Sequence, residues 1–239
     1  MPTPSPAENA HVEAASQSRR LWLVAGGAAL AYGISLRGAP YPDQAAAKVL
    51  MCGLLVLAAA RHEPARERAR LCAALVASGV GDVLLALPQL SFSFIGGLGA
   101  FLLAHLAYCA LFAPLAGAPR GWRRVALPLV WAAALAMYGV FFPRLGALAA
   151  PVAVYMLALC AMASMALAAR LPGSTVAFGG LAFVASDAMI GIDRFVGPFA
   201  GSAYAIWFSY AIAQLLLAGG ILLTRRAAPV TPRAAQNEE

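Results

Sequence analysis

The chain has 239 residues, of which 62% are hydrophobic and only 11% charged, and its formal net charge is +7. A soluble domain of this size has too little interior to hide that share of apolar surface, so a water-soluble enzyme is excluded. A disordered chain, a disulfide-rich secreted module and a nucleic-acid binder are excluded too, and the positive balance points to loops that face anionic lipid.

Residues 1–20, rich in Pro, Ser, Ala and Glu, lack apolar periodicity and predict a flexible cytoplasmic arm. Apolar blocks of membrane-spanning length follow at about 21–36, 45–60, 71–88, 94–115, 125–142, 147–169, 175–192 and 203–223. Arg, Pro and Gly separate them, as in LRGAPYPDQ, RHEPARERAR, APRGWRR and LPGS. The polar residues 225–239 predict a second flexible tail. The expected fold class is therefore all-α, a polytopic integral membrane bundle of about eight transmembrane helices over residues 21–224. Outside the blocks, Lys plus Arg amounts to 13 on the odd-numbered segments and 3 on the even-numbered ones. By the positive-inside rule both termini are cytoplasmic and the loop at 37–44 faces outward. The expected location is the inner membrane of a bacterium.

Cys52, Cys72, Cys109 and Cys160 fall in or beside apolar helices without CxxC spacing, and read as small buried hydrophobes. His11 and His62 lie in a tail and a loop, so His105 is the one imidazole in an apolar block. A zinc site draws on three or four His, Cys or carboxylate ligands, and no metal or other cofactor is expected. No GxSxG, Walker A or dinucleotide fingerprint is present. The glycines of FIGGLGAF suit close helix packing.

The informative residues are the polar ones inside the apolar blocks. An ionisable group in a span costs at least about 2.5–3.5 kcal/mol, which makes each one a functional candidate. Lys48 lies in the second block, Asp82 in the third, His105 with Tyr108 in the fourth, and Asp187 in the seventh; Tyr210 and Gln214 lie in the eighth. The alternation places the two aspartates at similar depth, in the middle to outer half of the bilayer, with Lys48 near the outer end of its helix. Asp193 and Arg194 are expected at the outer mouth as a solvated pair.

These residues also carry a resemblance. GDVLLALP (81–88) with FIGGLGAFLLAHLAYCALF (94–112), then GGLAFVASDAMIGIDRF (179–195) with SYAIAQLLLAGG (209–220), resemble the signature of the YhhN-like lysoplasmalogenases. Lys48 stands where that family has a lysine, although the proline that usually follows is Val49 here. The resemblance covers about residues 45–220. It implies a membrane enzyme that cleaves the vinyl ether of lysoplasmalogens to a fatty aldehyde and glycerophosphocholine or glycerophosphoethanolamine. Its site would draw on Lys48, Asp82, His105, Tyr108, Ser186 and Asp187, with Ser186 supplied by the resemblance alone.

Vinyl ether hydrolysis starts with protonation of the distal alkene carbon, so Asp82 and Asp187 are the expected catalytic pair, as paired carboxylates are in glycosidases. Lys48 would attract the phosphate, and Asp82, closer to it in sequence, would be the carboxylate and Asp187 the acid. His105, Tyr108, Ser186, Arg194, Tyr210 and Gln214 would bind or orient. The expected partners are a lysophospholipid and the bilayer, with no nucleic acid. Two other classes compete: an ion-coupled small-molecule transporter, and a metal-dependent membrane lipid amidase or esterase.

Overall fold

A computed structural model describes residues 6–225, and among these the α-helices number eight with no β-strand. They are α1 (Pro6–Ser35), α2 (Gln44–Ala59), α3 (Ala65–Leu85), α4 (Ser93–Phe112), α5 (Arg123–Leu145), α6 (Ala149–Ala168), α7 (Thr175–Phe195) and α8 (Ser202–Leu222). Each overlaps one expected block, but two starts move. α1 is already helical at Pro6, through most of the expected N-terminal arm. Its early residues are mainly Ala, Glu, Gln, Ser and Arg, adequate helix formers whose polarity hides them from a search for apolar blocks. Likewise α3 begins at Ala65, just after Pro64, so the charged ARERAR run is its first turns and not a loop. Residues 1–5 and 226–239 of the expected tails lie outside the described residues.

Among the described residues, five stretches are long and apolar enough to cross a membrane: Glu13–Gly38, Ser93–Leu115, Arg123–Ala168, Thr175–Phe195 and Ser202–Leu222. The third holds both α5 and α6, which fold back on one another. The Trp131 indole donates to Ser164 Oγ at 3.0 Å and the Tyr138 hydroxyl to the Ala149 carbonyl at 3.2 Å. α2 is apolar but has only 16 residues, and α3 is diluted by its charged first turns. Leu23, Leu30, Ile34, Leu103 and Leu135 stand exposed on the outer faces, Leu135 to 75%. Side chains so placed are stable against lipid and not against water, and the chain is a multi-pass membrane protein.

The helices pack in a circuit: α1 on α2, α2 on α3, α3 on α4, α4 on α6, α6 on α7, α7 on α8, and α8 back on α1. α5 stands outermost, against α6 and α7. Two indoles close the seam between α1 and α8, the partly buried Trp22 donating through Nε1 to Leu215 O at 2.8 Å and the buried Trp207 through Nε1 to Ala29 O at 2.9 Å. These bonds satisfy donors that would be costly to leave unpaired in an apolar interior. At the basic end, Glu67 receives Arg225 at 2.7 Å and His62 at 3.1 Å, tying the end of α8 to the turn between α2 and α3. Gly81 has one particular role: a Cβ there would lie 2.6 Å from the Phe101 ring. Its absence lets Phe101 of α4 lie against α3 beside Asp82.

Candidate active site

Asp82 is 1% exposed in the last turn of α3. Lys48 Nζ of α2 lies 3.4 Å from its Oδ1, an ion pair that falls outside hydrogen-bond geometry. The Tyr210 hydroxyl of α8 donates to Oδ2 at 2.6 Å. Behind it, Gln214 Nε2 donates to Tyr210 Oη at 3.2 Å and the Tyr108 hydroxyl of α4 donates to Gln214 Oε1 at 2.5 Å. Helical spacing explains the convergence: Tyr210 and Gln214 are four apart on α8, and Lys48 and Cys52 four apart on α2, so each pair shares a face. Cys52 Sγ accordingly sits 3.3 Å from Tyr210 Oη and 3.7 Å from Asp82 Oδ2. Four helices thus hold one carboxylate through a directed chain of donors.

Asp187 of α7 has different company. The Tyr155 hydroxyl of α6 donates to its Oδ2 at 2.5 Å. His105 Nε2 of α4 lies 3.6 Å from the same oxygen. The His105 ring is fully buried between the Tyr155 ring at 5.1 Å and the Phe183 ring at 4.8 Å, centroid to centroid. Neither imidazole nitrogen has a hydrogen-bond partner among the described residues. No lysine or arginine pairs with Asp187 among the described residues.

Two cavities meet at Asp187. One, of about 170 Å³ and here called the polar cavity, carries the charged and hydrogen-bonding groups: Lys48, Asp82, Asp187, Gln44, Tyr32 and Tyr210 are among its walls. The other, of about 120 Å³, is almost wholly apolar and lies among α4, α5, α6 and α7. Leu85, Phe101, Asp187 and Ile190 belong to the walls of both. The pair of cavities therefore places charged groups on one side of Asp187 and a hydrocarbon-like space on the other.

Of the residues singled out in the sequence, Lys48, Asp82, Asp187, Ser186 and Tyr210 line the polar cavity. Ser186 also spends its hydroxyl on the Ile206 carbonyl at 3.1 Å, which makes it a seam between α7 and α8. His105 reaches Asp187, whereas Tyr108, three residues on, reaches Asp82 only through Gln214 and Tyr210. Arg194 stands apart: its guanidinium lies over the Phe94 ring at 4.8 Å. Asp193 has a buried Oδ1 with no hydrogen-bond partner. The expected solvated pair is thus not formed, since consecutive helix residues do not face each other.

Two residues bonded to the aspartates, Cys52 and Tyr155, escape a reading of the sequence. Cys52 carried a usable signal in its four-residue spacing from Lys48. Tyr155 is a lone hydroxyl in an apolar block, and nothing local ties it to an aspartate 32 residues away. Among the described residues, no three His, Cys, Asp or Glu side chains cluster to hold a metal ion.

Comparison with known proteins adds to this geometry. Residues 44–221 match the model of the YhhN family. A lysoplasmalogenase of Mycobacterium bovis and one of Mycobacterium tuberculosis are each 43% identical over 220 residues, covering 85% of this chain and 84% of theirs. Lysoplasmalogenase TMEM86B of Sus scrofa is 33% identical over 150 residues, 62% of each chain. No solved structure matches at a significant level.

Proposed function

The chain belongs to the YhhN family, and from that premise we propose that it hydrolyses the vinyl ether bond of lysoplasmalogens within the membrane. The products are a fatty aldehyde and glycerophosphocholine or glycerophosphoethanolamine. The observation that carries this reading is one cavity walled by two aspartates in unlike surroundings. The relatives' shared name favours it over an ion-coupled transporter and over a metal-dependent amidase or esterase.

Asp187, which accepts from a phenol, lies beside an imidazole and pairs with no Lys or Arg among the described residues, is the acid that protonates the distal alkene carbon. Tyr155 engages Oδ2, which leaves Oδ1 to carry the transferred proton. The electron pair of the double bond forms the new C–H bond, and the ether oxygen shares the resulting positive charge as an oxocarbenium ion. Asp82, ion-paired with Lys48, is the carboxylate that stabilises this cation and takes a proton from the attacking water. The hemiacetal then collapses to aldehyde and glycerol hydroxyl: the proton held by Asp82 passes to the departing oxygen, and the hemiacetal hydroxyl gives its proton to the Asp187 carboxylate, which restores the acid. Tyr210, Gln214 and Tyr108 fix Asp82, while His105 and Tyr155 fix Asp187. Lys48 also draws the phosphate into the polar cavity.

All eight helices cross the bilayer, with both termini in the cytoplasm, and the host membrane is a bacterial inner membrane. The decisive experiment incubates purified protein with a lysoplasmalogen, the matching intact plasmalogen and the matching acyl lysolipid. Aldehyde from the first alone is the expected result. Fatty acid from the acyl lipid without aldehyde would instead make the protein an esterase.

A further inference from the structure

Apart from Asp187 and Tyr155 in its wall, the apolar chamber among α4–α7 has no part in the acid–base steps, and its chemistry is distinctive. Its walls are Leu98 of α4, Ala133, Ala134 and Met137 of α5, Met156 and Leu159 of α6, and neighbours of the same kind. Along α7 it runs from Val184 to Phe195, roughly 16 Å at 1.5 Å per residue. One end is closed by phenylalanines: Phe195 meets Phe94 at 5.8 Å and Phe141 at 5.5 Å between ring centroids. Phe141 can lie there because position 191 is glycine, where a Cβ would come within 2.6 Å of its ring. Asp187 is the one ionisable group with a carboxyl or amine in these walls, and it faces the polar cavity as well.

We infer that this chamber is the binding site for the hydrocarbon chain of a single-chain ether lipid. The inference rests on the proposed lysoplasmalogenase reading and extends it to substrate placement. In a lysoplasmalogen the vinyl ether is the junction between chain and head group, and Asp187 is the junction between the two cavities. Chain in the apolar chamber and phosphate towards Lys48 bring the reacting carbon to the carboxyl with no further movement. An apolar chamber holds alkyl groups without directional contacts, and each buried methylene contributes about 0.8 kcal/mol. The chamber is therefore a determinant of chain-length preference, with Ala134 and Met137 of α5 as its adjustable wall. Both side chains are short or flexible enough to be exchanged for bulk.

The test has two arms. In the first, Ala134→Phe and, separately, Met137→Trp are assayed against short-chain and long-chain lysoplasmalogens of one head group. Each should lower the long-to-short ratio of kcat/KM by about tenfold or more, the equivalent of roughly two methylenes excluded from burial. An equal fall on both chain lengths, or no change in the ratio, would overturn the assignment. The second arm uses wild-type protein and a saturated alkyl-ether lysophospholipid with a photoactivatable diazirine at the chain end, and requires no turnover. Labelling of α5 and α6 peptides is expected; labelling confined to α1, α2 and α8 would place the chain elsewhere. Labelling in the chamber by a protein that releases no aldehyde would uphold the chain site while rejecting the lysoplasmalogenase reading.

Discussion

Tyr155 and Asp187, on neighbouring helices α6 and α7, share the shortest hydrogen bond to a carboxyl group in the site, 2.5 Å from Oη to Oδ2. The bond fixes the carboxyl plane, and with it the direction in which Oδ1 can deliver a proton. His105 lies against both, its ring edge-on to Tyr155 and its Nε2 3.6 Å from Oδ2.

Tyr155→Phe should therefore lower kcat by about tenfold or more with little change in KM, because it loosens an acid without removing it. Steady-state aldehyde release at several substrate concentrations checks this. A rise in KM at constant kcat would make Tyr155 a wall of the binding site only.

Lys48 and Asp82 form an ion pair whose carboxylate is buried. Lys48→Met leaves a buried carboxylate without its cation, a change that typically costs about 3–5 kcal/mol. The double variant Lys48→Met/Asp82→Asn should recover much of that stability while staying inactive. Thermal unfolding in detergent, set beside aldehyde release, measures the coupling. If the double variant is no more stable than Lys48→Met alone, the ion pair is not what holds Asp82.

The Glu67 contacts at the basic end concern stability and not chemistry. Glu67 is 8% exposed and pairs with both Arg225 and His62. Glu67→Ala should lower Tm by several degrees through the unpaired partners it leaves, with kcat and KM of the remaining folded protein unchanged. A displaced KM would connect this end of the bundle to the substrate path.

Much of the architecture was legible in the sequence because apolar block length is a direct consequence of bilayer thickness. The early starts of α1 and α3 were not, since amphiphilic turns such as ARERAR continue a helix without adding hydropathy. Asp82, Asp187, Lys48 and His105 announced themselves by the cost of placing ionisable groups among apolar ones. Tyr155 did not, because a tyrosine in an apolar helix is ordinary until its hydroxyl finds a partner on another helix. The division into a polar and an apolar cavity was equally invisible: it depends on α5 standing outside the circuit, a matter of packing and not of spacing.

The charge asymmetry of the loops yields a topology test. Single cysteines placed at position 38 and at position 225, in a background lacking the native four, should react from opposite sides of the membrane with an impermeant thiol reagent. Position 38 should be open from outside and position 225 only after permeabilisation. Labelling of both from one side would require a helix count other than eight.

The mechanism leaves a mark in the product itself. Protonation of the distal alkene carbon makes that carbon the aldehyde's C2, so the transferred proton stays there as a C–H bond. In heavy water the released aldehyde should carry one deuterium at C2, and kcat should fall if carbon protonation limits the rate. Mass spectrometry of aldehyde trapped promptly as a stable derivative reads this directly, with added unlabelled aldehyde as the control for later exchange. Asp187→Asn removes the proton donor and Asp82→Asn the carboxylate, each at nearly constant volume. Each should lower kcat by about 10²-fold or more while leaving a folded protein that still binds the alkyl-ether probe. Near-normal turnover by both variants, or aldehyde without deuterium at C2, would end the two-aspartate mechanism.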